Sequence, residues 1–267
     1  MGIPYAEVIG DPIAQSKSPV IHKYWLEKLG LEGDYRATRV TADDLPAYLE
    51  SRRTDPDWRG CNVTMPLKEL AFDLLDCDSV TRRIGALNTV VRYEDRLSGV
   101  NTDWTGLNLA LDTFRLNPQR VAIVGAGGAA RAALAEMRLN KVPYLILINR
   151  SEAKARALLD RFELVGEVRP LGATPDADLL INASALGMTG YPPLEIGLDA
   201  LAAGATVLDM VYHPLETRLL LEARRRAFKT IDGLSMLIHQ ASMAFTHFFK
   251  DSPEPADSPE LRALLTS

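Results

Sequence analysis

Lys68 and Asp103 sit in two short polar clusters, GCNVTMPLKE and GVNTDWTGL, and could together move a proton. Hydride exchange at a carbinol carbon must be matched by proton exchange at its oxygen. An amine oriented and tuned by a carboxylate suits that task. The first cluster also carries Asn62 and Thr64, at the end of an apolar run and ahead of a helical pattern that Pro66 helps to start. Polar groups at the C-terminal end of a strand commonly face a ligand crevice in α/β sheets. Asn88, in GALNTVV, adds an amide to the Asp103 cluster. In DPIAQSKSPVIHKYW, Ser16 and Ser18 come just before Pro19, a residue suited to a first helical turn. Two hydroxyls and free N–H groups at a helix start could hold a carboxylate, and simple N-capping by Ser18 fits equally well. Read singly, Lys68 also fits a solvated helix position and Asp103 a helix cap, and spacing alone does not decide.

A second kind of chemistry is written in RVAIVGAGGAAR, residues 120–131. Gly125, Ala126, Gly127, Gly128, Ala129 and Ala130 fit the G-x-G-x-x-G/A pattern between a strand and a helix, as dinucleotide binding requires. Gly125 permits the tight turn, Gly127 lets the backbone approach a pyrophosphate, and Ala130 allows close helix packing. Unpaired N–H groups at the helix start then face the phosphates. An ordinary strand-to-helix turn is the alternative. The next strand, LILINRS, does not end in the Asp or Glu that would accept from a ribose 2′-hydroxyl. It offers Asn149, Arg150 and Ser151, with Lys154 a turn into the following helix, groups that suit a 2′-phosphate. NADP is therefore expected over NAD, unless Arg150 merely opens a helix in solvent.

The elements that must position these groups alternate short apolar runs with helical patterns, an α/β rhythm with largely parallel sheets. Strands are expected over residues 6–9, 35–40, 61–64 and 87–93, with helices near 19–29, 43–53 and 67–75. A second series starts at Arg120, with strands near 121–124, 144–148, 179–182 and 207–210 and helices including 129–139 and 151–162. A last apolar helix is expected over 235–249, followed by a Pro- and acid-rich surface tail that closes with a short helix. With 267 residues, the chain has room for two modest domains. A net charge of -5 argues against nucleic acid as a partner, and the run Arg224 to Arg226 reads as a solvated helix face. The two cysteines, Cys61 and Cys77, make no disulfide framework, and the four histidines are scattered, so no metal is expected and a cytoplasmic setting is. No signal-like or membrane-spanning apolar stretch is visible, so no membrane partner is expected.

SKSP (residues 16–19), NVTMPLK (62–68), GALNT (85–89), NTDWTG (101–106), GAGGAAR, NRS, NASALGM (182–188), DMVY (209–212) and DGLSMLIHQA (232–241) occur in this order. Together they resemble the shikimate dehydrogenase family, over about residues 5–250. The resemblance implies two α/β domains around a cleft, with the C-terminal helices returning to the first. A substrate domain would take residues 1–103 and 236–267, and a Rossmann-like NADP-binding domain residues 104–235. It also implies reversible NADP-linked reduction of 3-dehydroshikimate to shikimate, a step of aromatic amino-acid and chorismate biosynthesis, by a monomer or homodimer. Carried over, Ser16 and Ser18 would bind the substrate carboxylate, and Asn62, Thr64, Asn88, Asp103 and Gln240 the ring hydroxyls. Lys68 and Asp103 would be the catalytic couple. Tyr212 would line the junction of substrate and nicotinamide, and Met188 and Gly233 would border the nicotinamide end.

The chain departs from the family pattern at Ala185, where Ser or Pro is frequent, and in placing His239 beside Gln240. Neither removes a catalytic group. One rival is a quinate/shikimate dehydrogenase that prefers NAD, which the NRS segment with Lys154 and the presence of Ser18 rather than Thr oppose. Another is a catalytically silent NADP-binding regulator, which retention of Lys68 and Asp103 opposes.

Overall fold

The computed structural model describes residues 2–94, 96–112 and 116–266, and the chain divides into two compact α/β units. One takes the chain up to Gly106 and resumes at Ile238; the other runs from Leu107 to Leu237.

In the first unit β1 (Tyr5–Gly10) lies between β2 (Asp34–Arg39) and β3 (Trp58–Val63), all parallel. Helices α1 (Ser18–Leu29) and α2 (Leu45–Arg53) make the crossovers that parallel strands require. After α3 (Lys68–Leu74), the two-residue β4 (Asp76–Cys77) and α4 (Ser79–Ile84), the chain turns back in a hairpin of β5 (Thr89–Tyr93) and β6 (Arg96–Val100). The six-stranded sheet has the order β2-β1-β3-β5-β6-β4 and is parallel-rich, with β5 antiparallel to both neighbours. The strand expected from residue 87 starts at Thr89, because the Leu87 N–H is taken by the Lys68 carbonyl. Side-chain alternation along the strands sends Ile9, Cys61 and Val63 to a core with Leu45, Leu49, Leu67 and Ala71. Ala6 and Val8 face the other way, toward Tyr35. Both cysteines are buried and free.

Helix α5 (Thr102–Asp112) leads toward the second unit, whose strands are β7 (Arg120–Val124), β8 (Tyr144–Ile148), β9 (Gly166–Arg169), β10 (Leu179–Asn182), β11 (Thr206–Asp209) and β12 (Lys229–Ile231). All pair in parallel, in the order β12-β11-β10-β7-β8-β9. From β7 the chain winds outward through β8 and β9, then returns to the other side of β7 as β10. That doubly wound order places a topological switch point beside β7, where such sheets bind ligands. The strand segments VAIV, LILI and LLI are apolar throughout because α6 (Gly128–Leu139), α7 (Glu152–Arg161), α8 (Arg218–Arg225) and loops cover both faces.

Helix α9 (Gly233–Phe249) begins two residues earlier than the pattern suggests, because the Asp232 carboxylate accepts from the N–H groups of Leu234 and Ser235 at 3.1 and 3.2 Å. In the first unit its Phe245 and Phe248 join His22, Trp25 and Tyr35 in a dry aromatic cluster. Burying each phenylalanine contributes roughly 2–3 kcal/mol over leaving it in water. The acidic C-terminal segment is no loose tail. Leu261 and Leu265 of α10 (Pro259–Thr266) are buried, and the Ser258 and Tyr24 hydroxyls lie 3.4 Å apart. Among the described residues, no helix is long and apolar enough to cross a membrane.

Candidate active site

Strand register gathers the polar residues of the first unit. β1 and β3 run in parallel, so their C-terminal ends share one edge of the sheet, and the reversal through β5 and β6 returns the start of β5 and the end of β6 to it. Asn62 lies at the end of β3 and Thr64 just past it, Lys68 starts α3, Asn88 precedes β5, and Asp103 stands in the first turn of α5.

There Lys68 Nζ and Asp103 Oδ2 form a close, hydrogen-bonded ion pair whose side chains are 17% and 8% exposed. Lys68 is therefore not a solvated helix residue. Nor does Asp103 cap α5, because Asn101 Oδ1 accepts from the Trp104 N–H at 3.1 Å. Charges this poorly hydrated persist only when paired and hydrogen-bonded.

Asn88 supplies the remaining bonds. Its Nδ2 lies 3.0 Å from Asp103 Oδ1, 2.9 Å from Thr102 Oγ1 and 3.1 Å from Gln240 Oε1, while its Oδ1 accepts from the Thr102 N–H at 2.7 Å. Two amide hydrogens cannot satisfy three acceptors fully, so the cluster keeps acceptor capacity for a ligand hydroxyl. Asn62 joins through Thr89: its Nδ2 donates to Thr89 Oγ1 at 3.0 Å, and Thr89 Oγ1 donates to Asn88 Oδ1 at 3.1 Å. The Tyr35 hydroxyl donates to Asn62 Oδ1 at 2.6 Å.

Ser18 is the first residue of α1 rather than its N-cap, a position held by Lys17 without a side-chain bond. The Ser16 hydroxyl accepts from the Ser18 N–H at 3.3 Å, which corrects the expectation that Ser18 caps the helix. Ser18 is buried at the start of the helix. Thr64 is half-buried, its N–H donating to the Ile9 carbonyl. Thr89 and Thr102 escape a motif reading although each directly follows a singled-out or neighbouring asparagine in GALNT and NTDWTG. Tyr35 escapes it because a tyrosine in a strand reads as core.

The second unit carries the glycine-rich turn at the switch point. Gly125 has φ +111, which only glycine adopts readily, and a Cβ there would stand 2.9 Å from the Ala183 carbonyl oxygen. Gly127 is the N-cap of α6, and no atom lies within 4 Å of where its Cβ would be. Gly128 and Ala129 are half-buried, while Ala126 and Ala130 are buried. A pyrophosphate fits this open helix start, where N–H groups and the positive end of the helix dipole face outward.

After β8, Asn149 Nδ2 donates to the Ser151 carbonyl at 2.9 Å, and Ser151 caps α7 by accepting from the Lys154 N–H at 3.4 Å. Arg150, Ser151 and Lys154 are exposed. Met188 and Tyr212 are half-buried on the loops after β10 and β11. One buried carboxylate braces these loops: Asp209 accepts from Asn182 Nδ2 at 2.9 Å, the Val211 N–H at 3.0 Å and the Thr217 hydroxyl at 2.7 Å. Burial raises the Asp209 pKa, and these donors oppose the rise. Gly233 packs so tightly that a Cβ would lie 2.5 Å from the Met210 carbonyl oxygen.

A buried lysine–carboxylate couple at one sheet edge and a dinucleotide turn on a doubly wound sheet define a nicotinamide-dependent oxidoreductase. The chain is 52% identical over 267 residues to the shikimate dehydrogenase (NADP(+)) of Sphingopyxis alaskensis, covering 99% of this chain and 97% of that protein. It belongs to the shikimate dehydrogenase family. The family described as shikimate dehydrogenase substrate binding domain matches residues 8–90. The shikimate 5-dehydrogenase of Thermus thermophilus, solved in complex with NADP(H) and shikimate, is 35% identical with a TM-score of 0.86, over 98% of both chains. The 5-ketofructose reductase of a Gluconobacter strain, solved without ligand, is 28% identical with a TM-score of 0.86, over 99% of this chain and 98% of that one.

Proposed function

We propose that this chain reversibly reduces 3-dehydroshikimate to shikimate with NADPH, a step toward chorismate and the aromatic amino acids. The Lys68–Asp103 pair, braced by Asn88 in a member of this family, is the observation that carries the proposal. The first unit takes the substrate, and the unit from Leu107 to Leu237 takes the cofactor.

NADPH, when bound, supplies the hydride to the substrate carbon. As the carbonyl becomes an alcohol, Lys68 Nζ gives its proton to the oxygen, and in the oxidation it takes that proton back. The Asp103 carboxylate holds Nζ in place through their hydrogen bond. Ser16 and Ser18 take the substrate carboxylate, with Asn62, Thr64, Asn88, Asp103 and Gln240 on the ring hydroxyls. Gly125, Ala126, Gly127, Gly128 and Ala129 hold the pyrophosphate, and Asn149, Arg150, Ser151 and Lys154 the 2′-phosphate. Tyr212, Met188 and Gly233 border the nicotinamide. The chain works in the cytoplasm as a monomer or homodimer, without nucleic acid or membrane.

Purified protein offered shikimate, quinate or 5-ketofructose, each crossed with the NADP and NAD couples, tests this through the absorbance of the reduced nicotinamide. Turnover strongest with shikimate and NADP is expected. Turnover confined to quinate or 5-ketofructose, or none at all, overturns the proposal.

A further inference from the structure

We propose that Tyr35 is a positioning residue that holds in place the Asn62 amide, the group that takes a ring hydroxyl. This rests on the function proposed above and adds a residue to its substrate site.

Tyr35 is wholly buried on β2, opposite Ala6 of β1. Its ring stacks on His22 with centroids 3.9 Å apart and planes 9° apart. His22 is itself wholly buried, and among the described residues neither of its ring nitrogens has a hydrogen-bond partner, so it acts here as a flat surface against which the phenol is pressed. The phenol oxygen is therefore held in one place.

That oxygen carries one proton, which goes to Asn62 Oδ1 at 2.6 Å. The other end of the Asn62 amide faces Thr89 Oγ1 at 3.0 Å and the Asn88 carbonyl oxygen at 3.4 Å. A carbonyl can only accept, so turning the amide over would set two oxygens against each other and remove the acceptor from Tyr35. The Asn88 carbonyl thus fixes which end of Asn62 is which, and Tyr35 clamps the acceptor end. Burial pushes the phenol pKa well above its usual value, so it remains a donor throughout the working pH range. One rigid ring thereby clamps a group from β3 that a substrate must match. An oxygen that meets a recognition group and is itself buried acts through that group rather than by touching substrate.

The test is Tyr35→Phe, which keeps the stack on His22 and removes only the oxygen. Losing a net hydrogen bond should raise KM for shikimate roughly five- to tenfold. Both kcat and KM for NADP should stay near wild type. In an Asn62→Ala background the same substitution should have little further effect on KM, because the group it acts through is gone. An unchanged KM for shikimate in Tyr35→Phe overturns the proposal, as does an equal fold-change with and without Asn62. So does a loss seen only as lower thermal stability and active fraction. If Tyr35→Phe does not fold, 3-fluorotyrosine incorporated at position 35 reads the same contact: a changed KM for shikimate with kcat held supports it, and an unchanged KM overturns it. Wild-type protein that leaves shikimate untouched overturns the underlying function before any variant is compared.

Discussion

Asn88 Nδ2 lies 3.0 Å from Asp103 Oδ1, the carboxylate oxygen opposite the one that meets Lys68. The amide thus holds the carboxylate from behind while the ammonium takes its front. Asn88→Ala should free the carboxylate to rotate and leave one buried oxygen unpaired, a cost of about 1–3 kcal/mol. Steady-state kinetics should show kcat for shikimate oxidation falling roughly ten- to a hundredfold. A variant with wild-type kcat would show that Asp103 needs no such brace.

Lys68→Ala removes the proton carrier. General acid–base catalysis is typically worth ~10²–10⁴ in rate, and kcat should fall by that order. KM for shikimate should change little, because the group acts chiefly in the transition state. Near-normal turnover would refute the role.

Arg150→Ala combined with Lys154→Ala tests the cofactor end. Charge-assisted bonds to a 2′-phosphate are the stronger kind, so KM for NADP should rise roughly ten- to a hundredfold while KM for NAD holds. Equal shifts for the two cofactors would mean that neither residue reads the phosphate.

Burial depresses the His22 pKa to about 3. Its folded value lies below its unfolded value near 6.5, so the unfolded chain binds the proton first. The contribution of neutral His22 to stability is present above about pH 6.5 and is lost as pH falls from there toward about 3. Between pH 7 and pH 5 that loss is about 2 kcal/mol. Urea unfolding at both pH values should show a smaller loss for His22→Phe, which keeps a flat ring at the site. Equal losses in variant and wild type would mean that His22 does not sense pH in this range.

Asp209→Ala should weaken the second unit, since the Val211 N–H and the Thr217 hydroxyl would lose the acceptor they share and the Asn182 amide would keep only the Leu186 carbonyl. With about 1–3 kcal/mol at stake for each such group, a clear fall in urea midpoint is expected. KM for NADP should rise as the loops bearing Met188 and Tyr212 lose their brace. Wild-type values for both would contradict the role of the carboxylate.

Much of this molecule is legible in its sequence, for physical reasons that differ by region. β7, β8 and β10 stand out because strands covered on both faces must be apolar throughout. The glycine turn shows because φ +111 at Gly125, with the Ala183 carbonyl against any Cβ, demands one residue type. β9 and β12 do not stand out, because GEVR and KTI are short edge segments with charged residues in them. β6 hides for a similar reason, with RLSGV interrupting its apolar pattern by serine and glycine. In the site, Lys68 and Asp103 are legible as a candidate couple from their residue types, but spacing alone does not decide their contact, which depends on two strand reversals in between. Ser16 rather than Ser18 accepts at the start of α1 because the helix begins at Ser18, and end residues follow geometry that propensity does not resolve.

The β5–β6 hairpin has a practical side. Tyr93 pairs with Arg96 at its turn, and Thr89 pairs with Val100 at the end that carries Asn88 and Asp103. At the usual rise per strand residue, Tyr93 lies roughly 13 Å along the strand from Thr89. Because the chain departs from the chemistry and comes back to it, residues added at the turn lengthen an excursion without shifting either end. A fluorophore attachment point or short epitope could therefore be grafted between Tyr93 and Arg96, giving a handle for immobilising or labelling the enzyme while its turnover is watched.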